Sequence, residues 1–468
     1  MQIYDAAIIG AGVVGTAIAR ELSRYEITCV LVEAQADIGM GTSKANTAIW
    51  HTGFDAKPGS LEAKLLTRGY HLLEEYVPEA GIAHERSGAV LVAWNEDQFN
   101  SLPALVAKAH ENGVTDVHAI SAEQVYQLEP HLNAGALGGL MVPGESIICT
   151  YGVPLALATQ AVANGCHLSP NFRVEKIDKD TDQLQILSGP GGTISCRYVV
   201  NAAGLHSDEI DRLYGYQRFT VTPRRGELIV FDKLARPLVR HVLLPIPTGK
   251  TKGVLVSPTV YGNIMVGPTA EDLTDKSQKG TSAEGLDFLW KKGEAIVTPL
   301  MKEEVTATYA GLRAATEHSD YQIFASAEQR YLCVGGIRST GLSASMGIAE
   351  YAATLLGQMG LTLKPKAEFK KVKLPPLGEA QLRPFQSEAA IAQDPEYGKI
   401  ICHCERVSAG EIRDALNTPI PATTLDGLRR RTRCLQGRCQ GFHCQADVSK
   451  MLADKLGKSP AQIIGCEE

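Results

Sequence analysis

The run Gly10-Ala11-Gly12-Val13-Val14-Gly15 constrains the fold of this chain more than any other feature. An apolar stretch of strand character, Asp5 to Ile9, leads into it, a helical pattern from Gly15 to Arg24 follows, and a second strand pattern spans Thr28 to Glu33. Strand, glycine turn, helix and strand open a βαβ unit, and so a parallel sheet. Gly10 permits the tight turn, Gly12 lets the backbone approach a pyrophosphate, and Gly15 lets helix and strand pack closely. The helix N-terminus offers amide donors to the phosphates. Glu33, ending the second strand, suits the ribose hydroxyls of an adenosine and repels a 2′-phosphate. The expectation is a dinucleotide site held by Gly10, Gly12, Gly15 and Glu33.

Only one such fingerprint occurs, which argues against a reductase with separate domains for FAD and a nicotinamide. Two further segments favour FAD. Gly41-Thr42-Ser43-Lys44-Ala45-Asn46 offers small and hydroxyl residues (Thr42, Ser43, Ala45, Asn46) for close passage along a pyrophosphate and a flavin edge. Val200-Asn201-Ala202-Ala203-Gly204 reads as a strand entering a tight turn beside the adenine end, at Ala203 and Gly204.

From Arg86 to Trp94 and from Phe219 to Met265 the pattern becomes strands broken by Gly and Pro, an antiparallel sheet inserted into the α/β domain. Tyr331 to Gly336 returns to a strand-like run, and Ser343 to Leu356 has helical spacing. The predicted fold class is therefore α/β plus antiparallel β. A discontinuous Rossmann-like domain (1–80, 150–215, 325–360) carries an inserted antiparallel substrate domain (81–149, 216–324), and the substrate lies between them. Residues 361–398, rich in Lys and Pro, are a linker or wrapping segment, and 399–468 form a small helical unit too short to bury much apolar surface without a metal centre.

Across residues 5 to 356, GAGVVG, GTSKANTAIWHTGF with KPGSLEAKL, NAAGLHSD, PRRGELIVFD, KGVLVSPTVYGNIMVGPTAED, YAGLRA and VGGIRSTGLSAS occur in an order that resembles the D-amino-acid-oxidase-type flavoprotein superfamily. The resemblance lies in its branch of glycerol-3-phosphate and L-2-hydroxyglutarate dehydrogenases. It implies that Gly336, Arg338, Gly341, Leu342 and Ser343 wrap the flavin, with the helix starting near Ser343 aiming its positive end at the ring. It also places Arg313 and Arg338 toward an anionic substrate, which a guanidinium binds bidentately. His51, just beyond the flavin segment, is the candidate base for the alcohol proton, with a histidine that merely packs on the ring as the rival reading. His206 and His318 are weaker candidates, Tyr261 is a candidate pocket residue, and Arg224 and Arg225 read as turn residues.

Of the eleven cysteines, Cys402, Cys404, Cys434, Cys439, Cys444 and Cys466 crowd the C-terminal end, which favours a metal site over disulfides. Cys402-His403-Cys404 and Cys439-Gln440-Gly441-Phe442-His443-Cys444 form two close pairs with a helical stretch, Ser408 to Leu416, between them. Four thiolates on two loops suit a [2Fe-2S] cluster, with a four-cysteine zinc site the main rival. The spacing, with RRRTR and GRCQG, resembles the bacterioferritin-associated-ferredoxin-type domain fused to anaerobic glycerol-3-phosphate dehydrogenases. The ligands it implies are Cys402, Cys404, Cys439 and Cys444. Cys434 stands where that pattern has a small apolar residue, and is an alternative ligand. The arginines at 429, 430, 431, 433 and 438 would offset thiolate charge and could dock an acidic redox partner.

A net charge of −6 carries no nucleic-acid footprint, and no apolar run reaches spanning length. The expected protein is cytoplasmic, with peripheral attachment to the inner face of a membrane left open, as is assembly into homo- or hetero-oligomers. It is read as a dehydrogenase that passes electrons from a small anionic hydroxy substrate through flavin and cluster to a quinone or redox protein. Two alternatives stand beside this: oxidation of an amino acid or secondary amine, and a cofactor-bearing subunit whose pocket needs a partner.

Overall fold

The computed structural model describes residues 2–180, 184–247 and 253–465; Cys466 lies outside them. Ala6, Ala7 and Ile8 are wholly buried, as a strand covered on both faces must be. That strand, Ile3–Ile9, runs parallel between Cys29–Val32 and Gly192–Asn201. His167–Ser169 extends the sheet on one side. On the other, the first half of Gly192–Asn201 pairs antiparallel with Gln185–Gly189 and its second half parallel with Tyr331–Gly335. The C-terminal strand thus re-enters the N-terminal sheet, and the helix Gly341–Gln358 packs against the helices Val13–Leu22 and Leu61–Glu79. This discontinuous sheet is the α/β half of the expectation.

The second sheet is mixed rather than purely antiparallel. Its long strands Thr222–Phe231 and Val305–Ala315 pair antiparallel, but Val242–Pro245 runs parallel to Ala89–Ala93. Some 150 residues separate those two strands, so no hairpin turn imposes an antiparallel direction on them. A third, three-stranded sheet joins Ile49–Trp50, Ser146–Ile148 and His84–Glu85.

Beyond Leu361 the chain wraps the first two layers. Lys366 N–H donates to Arg24 O, Leu374 N–H to Ala80 O, and Glu379 N–H to Val260 O. The C-terminal unit has its own core of Val407, Ile412, Leu416, Leu428, Val448 and Leu452, with Cys402, Cys434 and Cys444 packed into it. Among the described residues no helix is long and apolar enough to cross a membrane.

Candidate active site and cluster-binding loops

A cavity of about 1580 Å³ opens between the two large sheets. Gly10, Gly12, Glu33, Thr42, Ser43, Ala45, Asn46, Ala203, Gly204, Gly336, Arg338, Gly341 and Leu342 line it, as do His51 and Arg313. Gly15 and Ser343 lie just behind. Gly10 has φ of +101°, and a Cβ there would come within 2.6 Å of Ala202 O; one at Gly15 would overlap Gly10 O. The glycine turn is therefore pressed against the next strand, leaving its outer face to the cavity. Glu33 accepts from Ala11 N–H at 2.8 Å and Gln35 N–H at 2.9 Å, and burial raises its pKa.

Two helices begin at this cavity, Val13–Leu22 and Gly341–Gln358. Neither has an acid in its first turn or a capping bond from its N-cap side chain. Two positive helix ends facing one cavity, uncompensated by carboxylates, suit a pyrophosphate and an electron-rich ring. Arg338, held at φ +55°, forms an ion pair with Glu62, and its Nε is buried without a hydrogen-bond partner among the described residues. The residues present fit FAD.

The short sheet brings together a pair that sequence reading missed. Trp50 stands opposite Ser146, so the next residue of one strand and the preceding residue of the other meet as His51 and Glu145. His51 Nδ1 lies 2.8 Å from Glu145 Oε2. A carboxylate oxygen accepts, so Nδ1 carries a proton, and in the neutral ring Nε2 holds the lone pair. Glu145 is 0% exposed, and its other oxygen accepts from Thr52 N–H at 2.7 Å and Thr52 Oγ1 at 2.9 Å. His51 N–H in turn donates to Ser343 Oγ at 2.8 Å, tying it to the start of the long helix. The ring is held at Nδ1 by Glu145 and its backbone is anchored to the long helix, so Nε2 is left to act as a general base.

Arg313 differs from every neighbouring arginine. Arg224 pairs with Asp272, Arg225 with Glu271 and Arg338 with Glu62. Among the described residues, Arg313 reaches only the carbonyl of Thr269, at 3.3 Å. Burial, and then the charge of Arg224, pull its pKa from 12.5 down to about 10, which still leaves it charged at neutral pH. A half-buried guanidinium that lines the cavity and has no carboxylate partner among the described residues suits an anionic ligand.

Arg224 and Arg225 are strand residues within Thr222–Phe231 and line the cavity, so the turn reading fails; their carboxylate partners come from the neighbouring strand Glu271–Asp272. Tyr261 is not a pocket residue. It donates to Cys149 Sγ at 2.7 Å, and the Arg433 guanidinium lies 3.9 Å above its ring, at the boundary with the C-terminal unit. His206 lines the cavity but is paired with Glu209, while His318 hydrogen-bonds the carbonyl of Arg218 outside the cavity lining.

In the C-terminal unit the cysteines meet in two hydrogen-bonded pairs, Cys402 with Cys444 and Cys404 with Cys439. Among the described residues no three His, Cys, Asp or Glu side chains are gathered as a cage for a single ion. Two thiols for each of two irons is the ligand set of a [2Fe-2S] unit. Every one of these sulfurs accepts a backbone amide: Cys402 from Glu405 and Leu435, Cys444 from Leu435, Cys404 from Cys439, and Cys439 from His443 and Gly441. Those N–H donors favour thiolates, while the hydrogen shared within each pair lowers one thiol, Cys402 or Cys439, and raises its partner, Cys444 or Cys404; four paired sulfurs with amide donors fit the cluster. Cys434 stands apart. It is fully buried, accepts from Thr432 Oγ1 at 3.0 Å, and burial pushes its thiol up to about 12. The five arginines are internal ties rather than a free basic face: Arg429 and Arg430 pair with Asp426, Arg431 with Asp37, Arg433 with Glu405 and Arg438 with Glu304.

Residues 5–355 match the FAD dependent oxidoreductase family, and residues 400–454 match the BFD-like [2Fe-2S] binding domain. A glycerol 3-phosphate dehydrogenase of Caloramator mitchellensis is 36% identical over 98% of this chain and 96% of its own length. A glycerol 3-phosphate oxidase of Mycoplasma pneumoniae is 30% identical over 78% of this chain and 97% of its own. The structure of the dithionite-reduced, FAD-bound L-alpha-glycerophosphate oxidase of Mycoplasma pneumoniae superposes with a TM-score of 0.75 at 29% identity, covering 80% of this chain and 100% of that one.

Proposed function

Because the chain belongs to the FAD dependent oxidoreductase family and carries a BFD-like [2Fe-2S] domain, we propose that this FAD-dependent dehydrogenase oxidises glycerol-3-phosphate or a closely similar small anionic hydroxy compound. Its electrons leave through the cluster to a quinone or a redox protein. The observation that carries the reading is Arg313, a half-buried guanidinium with no carboxylate partner among the described residues, in the same cavity as His51 of the His51–Glu145 pair. The substrate class comes from the glycerol 3-phosphate enzymes similar over most of the chain.

When bound, FAD supplies a two-electron acceptor for the carbon-bound hydrogen, and the cluster a one-electron carrier. Arg313 binds and orients the substrate's anionic end. His51 Nε2 takes the hydroxyl proton, and Glu145 stabilises the imidazolium that results. Gly10, Gly12, Glu33, Thr42, Ser43, Ala45, Asn46, Ala203, Gly204, Gly336, Arg338, Gly341, Leu342 and Ser343 are assigned to holding FAD, and Cys402, Cys404, Cys439 and Cys444 to ligating iron. Phe442, between two of those ligands, is 85% exposed, so the outer cluster loop faces solvent where an acceptor can reach it.

The test is a panel of glycerol-3-phosphate, 2-hydroxy acids and imino acids added anaerobically to the holoprotein while the visible flavin band is followed. Bleaching by glycerol-3-phosphate alone, or by it far faster than by the rest, supports the reading. Bleaching by an imino acid alone contradicts it.

A further inference from the structure

We infer that Asp37, Tyr151 and Arg431 form a lock that seats the cluster domain on the flavin-binding loop, and that Arg431 is a positioning residue for electron transfer between the two cofactors. The inference rests on the proposed exit of electrons through the cluster. Arg431 Nη1 donates to Asp37 Oδ2 at 2.6 Å and Nη2 to Asp37 Oδ1 at 2.9 Å, a two-pronged pair spanning 394 residues of sequence. The side chains are 3% and 5% exposed. Tyr151 OH closes the group, donating to Asp37 Oδ2 at 3.0 Å while accepting from Arg431 Nη1 at 2.8 Å.

A pair so thoroughly dried gains little net stability, because desolvation offsets its attraction; what it gives is geometry, since a guanidinium fork accepts a carboxylate in one orientation. The location makes that geometry matter. Asp37 lies between Gln35 and Met40, which line the cavity. Lys44, at the far end of the same loop and next to the cavity residues Ser43 and Ala45, pairs with Asp426 at 3.5 Å. One helix of the cluster domain, Leu425–Thr432, therefore grips both ends of the flavin-binding loop. That helix ends at Arg433, in the left-handed conformation at φ +74°, and runs on to Leu435, whose amide serves both Cys402 and Cys444. From Asp37 to the ligand loop the connection is one short rigid element. Gly427 makes the close approach possible, because a Cβ there would stand 2.5 Å from Asp37 Oδ2.

Oxidation of one alcohol to a carbonyl releases two electrons and two protons. The hydroxyl proton goes to His51 and then to solvent; the carbon-bound hydrogen would pass with its electron pair to the bound flavin, and its proton would go to solvent as the two electrons leave singly to an external one-electron oxidant, two equivalents for each turnover. Electron transfer falls steeply with separation, so a cluster domain that loosens on its wrapping segment slows that exit without touching substrate oxidation.

The variants are Arg431→Gln, Gly427→Ala and the conservative Arg431→Lys, each as full-length holoprotein with flavin and iron content measured. Mixed anaerobically with glycerol-3-phosphate, all should bleach the flavin at the wild-type rate. Cluster reduction, read by electron paramagnetic resonance in freeze-quenched samples, should slow by about 10- to 100-fold in Arg431→Gln and Gly427→Ala, and recover in part in Arg431→Lys. Independently of turnover, amide hydrogen exchange should rise over residues 425–432 and 37–44 in the first two. Unchanged exchange and unchanged cluster reduction overturn the lock, as does a loss of flavin or iron with the transfer rate per loaded protein intact. A wild-type protein whose flavin bleaches while its cluster stays oxidised overturns the electron-exit reading, and exchange then still decides the docking.

Discussion

The flavin region lines a cavity of about 1580 Å³ largely with turns, loops and helix ends, whereas the cluster region packs its small core around the cysteines themselves, Cys402 and Cys444 among them. The first is shaped by backbone: a glycine turn, two helix ends and a loop. The second is shaped by side chains: thiols and arginine–carboxylate pairs. A site built from backbone should survive loss of its cofactor with its shape intact. A site built from ligand side chains inside a small core should not.

The largest effect expected from this contrast follows Cys402→Ser or Cys444→Ser. Iron content should fall nearly to nothing and hydrogen exchange over residues 400–454 should rise sharply, while flavin content stays at the wild-type level. Cys434→Ala should keep its iron, because that sulfur accepts from Thr432 Oγ1 and is buried in the small core rather than paired with another of the cysteines. Loss of flavin in Cys402→Ser would erase the contrast. Within the flavin region, His51→Ala should slow anaerobic flavin reduction by about 10²- to 10⁴-fold with flavin binding unchanged. Glu145→Gln should slow it by less and alter its pH dependence, because Glu145 acts only through the imidazole. Arg313→Met should weaken binding of the anionic substrate by about 1.5–3 kcal/mol, roughly 10- to 100-fold in KM, with a smaller change in kcat.

The smallest effect is one of pH. The free Arg313 guanidinium, its pKa drawn down to about 10, is charged and competent below that value and neutral above it. KM for the anion should therefore roughly double by pH 10 and climb further above it. The climb should vanish in Arg313→Met.

How much of this was legible in sequence follows the same division. Gly10, Gly12, Gly15 and Glu33 could be read because the turn, the helix and the acid are local, within 24 residues of one another. The four cysteines could be read from their spacing. The residues proposed to orient the chemistry could not: Glu145 reaches His51 across 94 residues, and Asp37 reaches Arg431 across 394. Nothing in the neighbourhood of either partner marks the pairing, since strand register and domain docking create it. Arg224 and Arg225 were misread for a related reason. Their strand is stabilised by Val305–Ala315 and Glu271–Asp272, neither of which is near in sequence. Glu62, which takes up the charge of Arg338, is likewise 276 residues away.

The central claim joins the two regions: electrons taken from an anionic alcohol beside Arg313 and His51 reach the iron held by Cys402, Cys404, Cys439 and Cys444. Its most direct test is an anaerobic titration of the holoprotein with glycerol-3-phosphate, with absorption and electron paramagnetic resonance recorded on the same samples. The account predicts that the flavin band bleaches and a reduced-cluster signal grows with it toward one spin per chain. A flavin that no hydroxy compound bleaches, or a bleached flavin beside a cluster that stays oxidised, would contradict it.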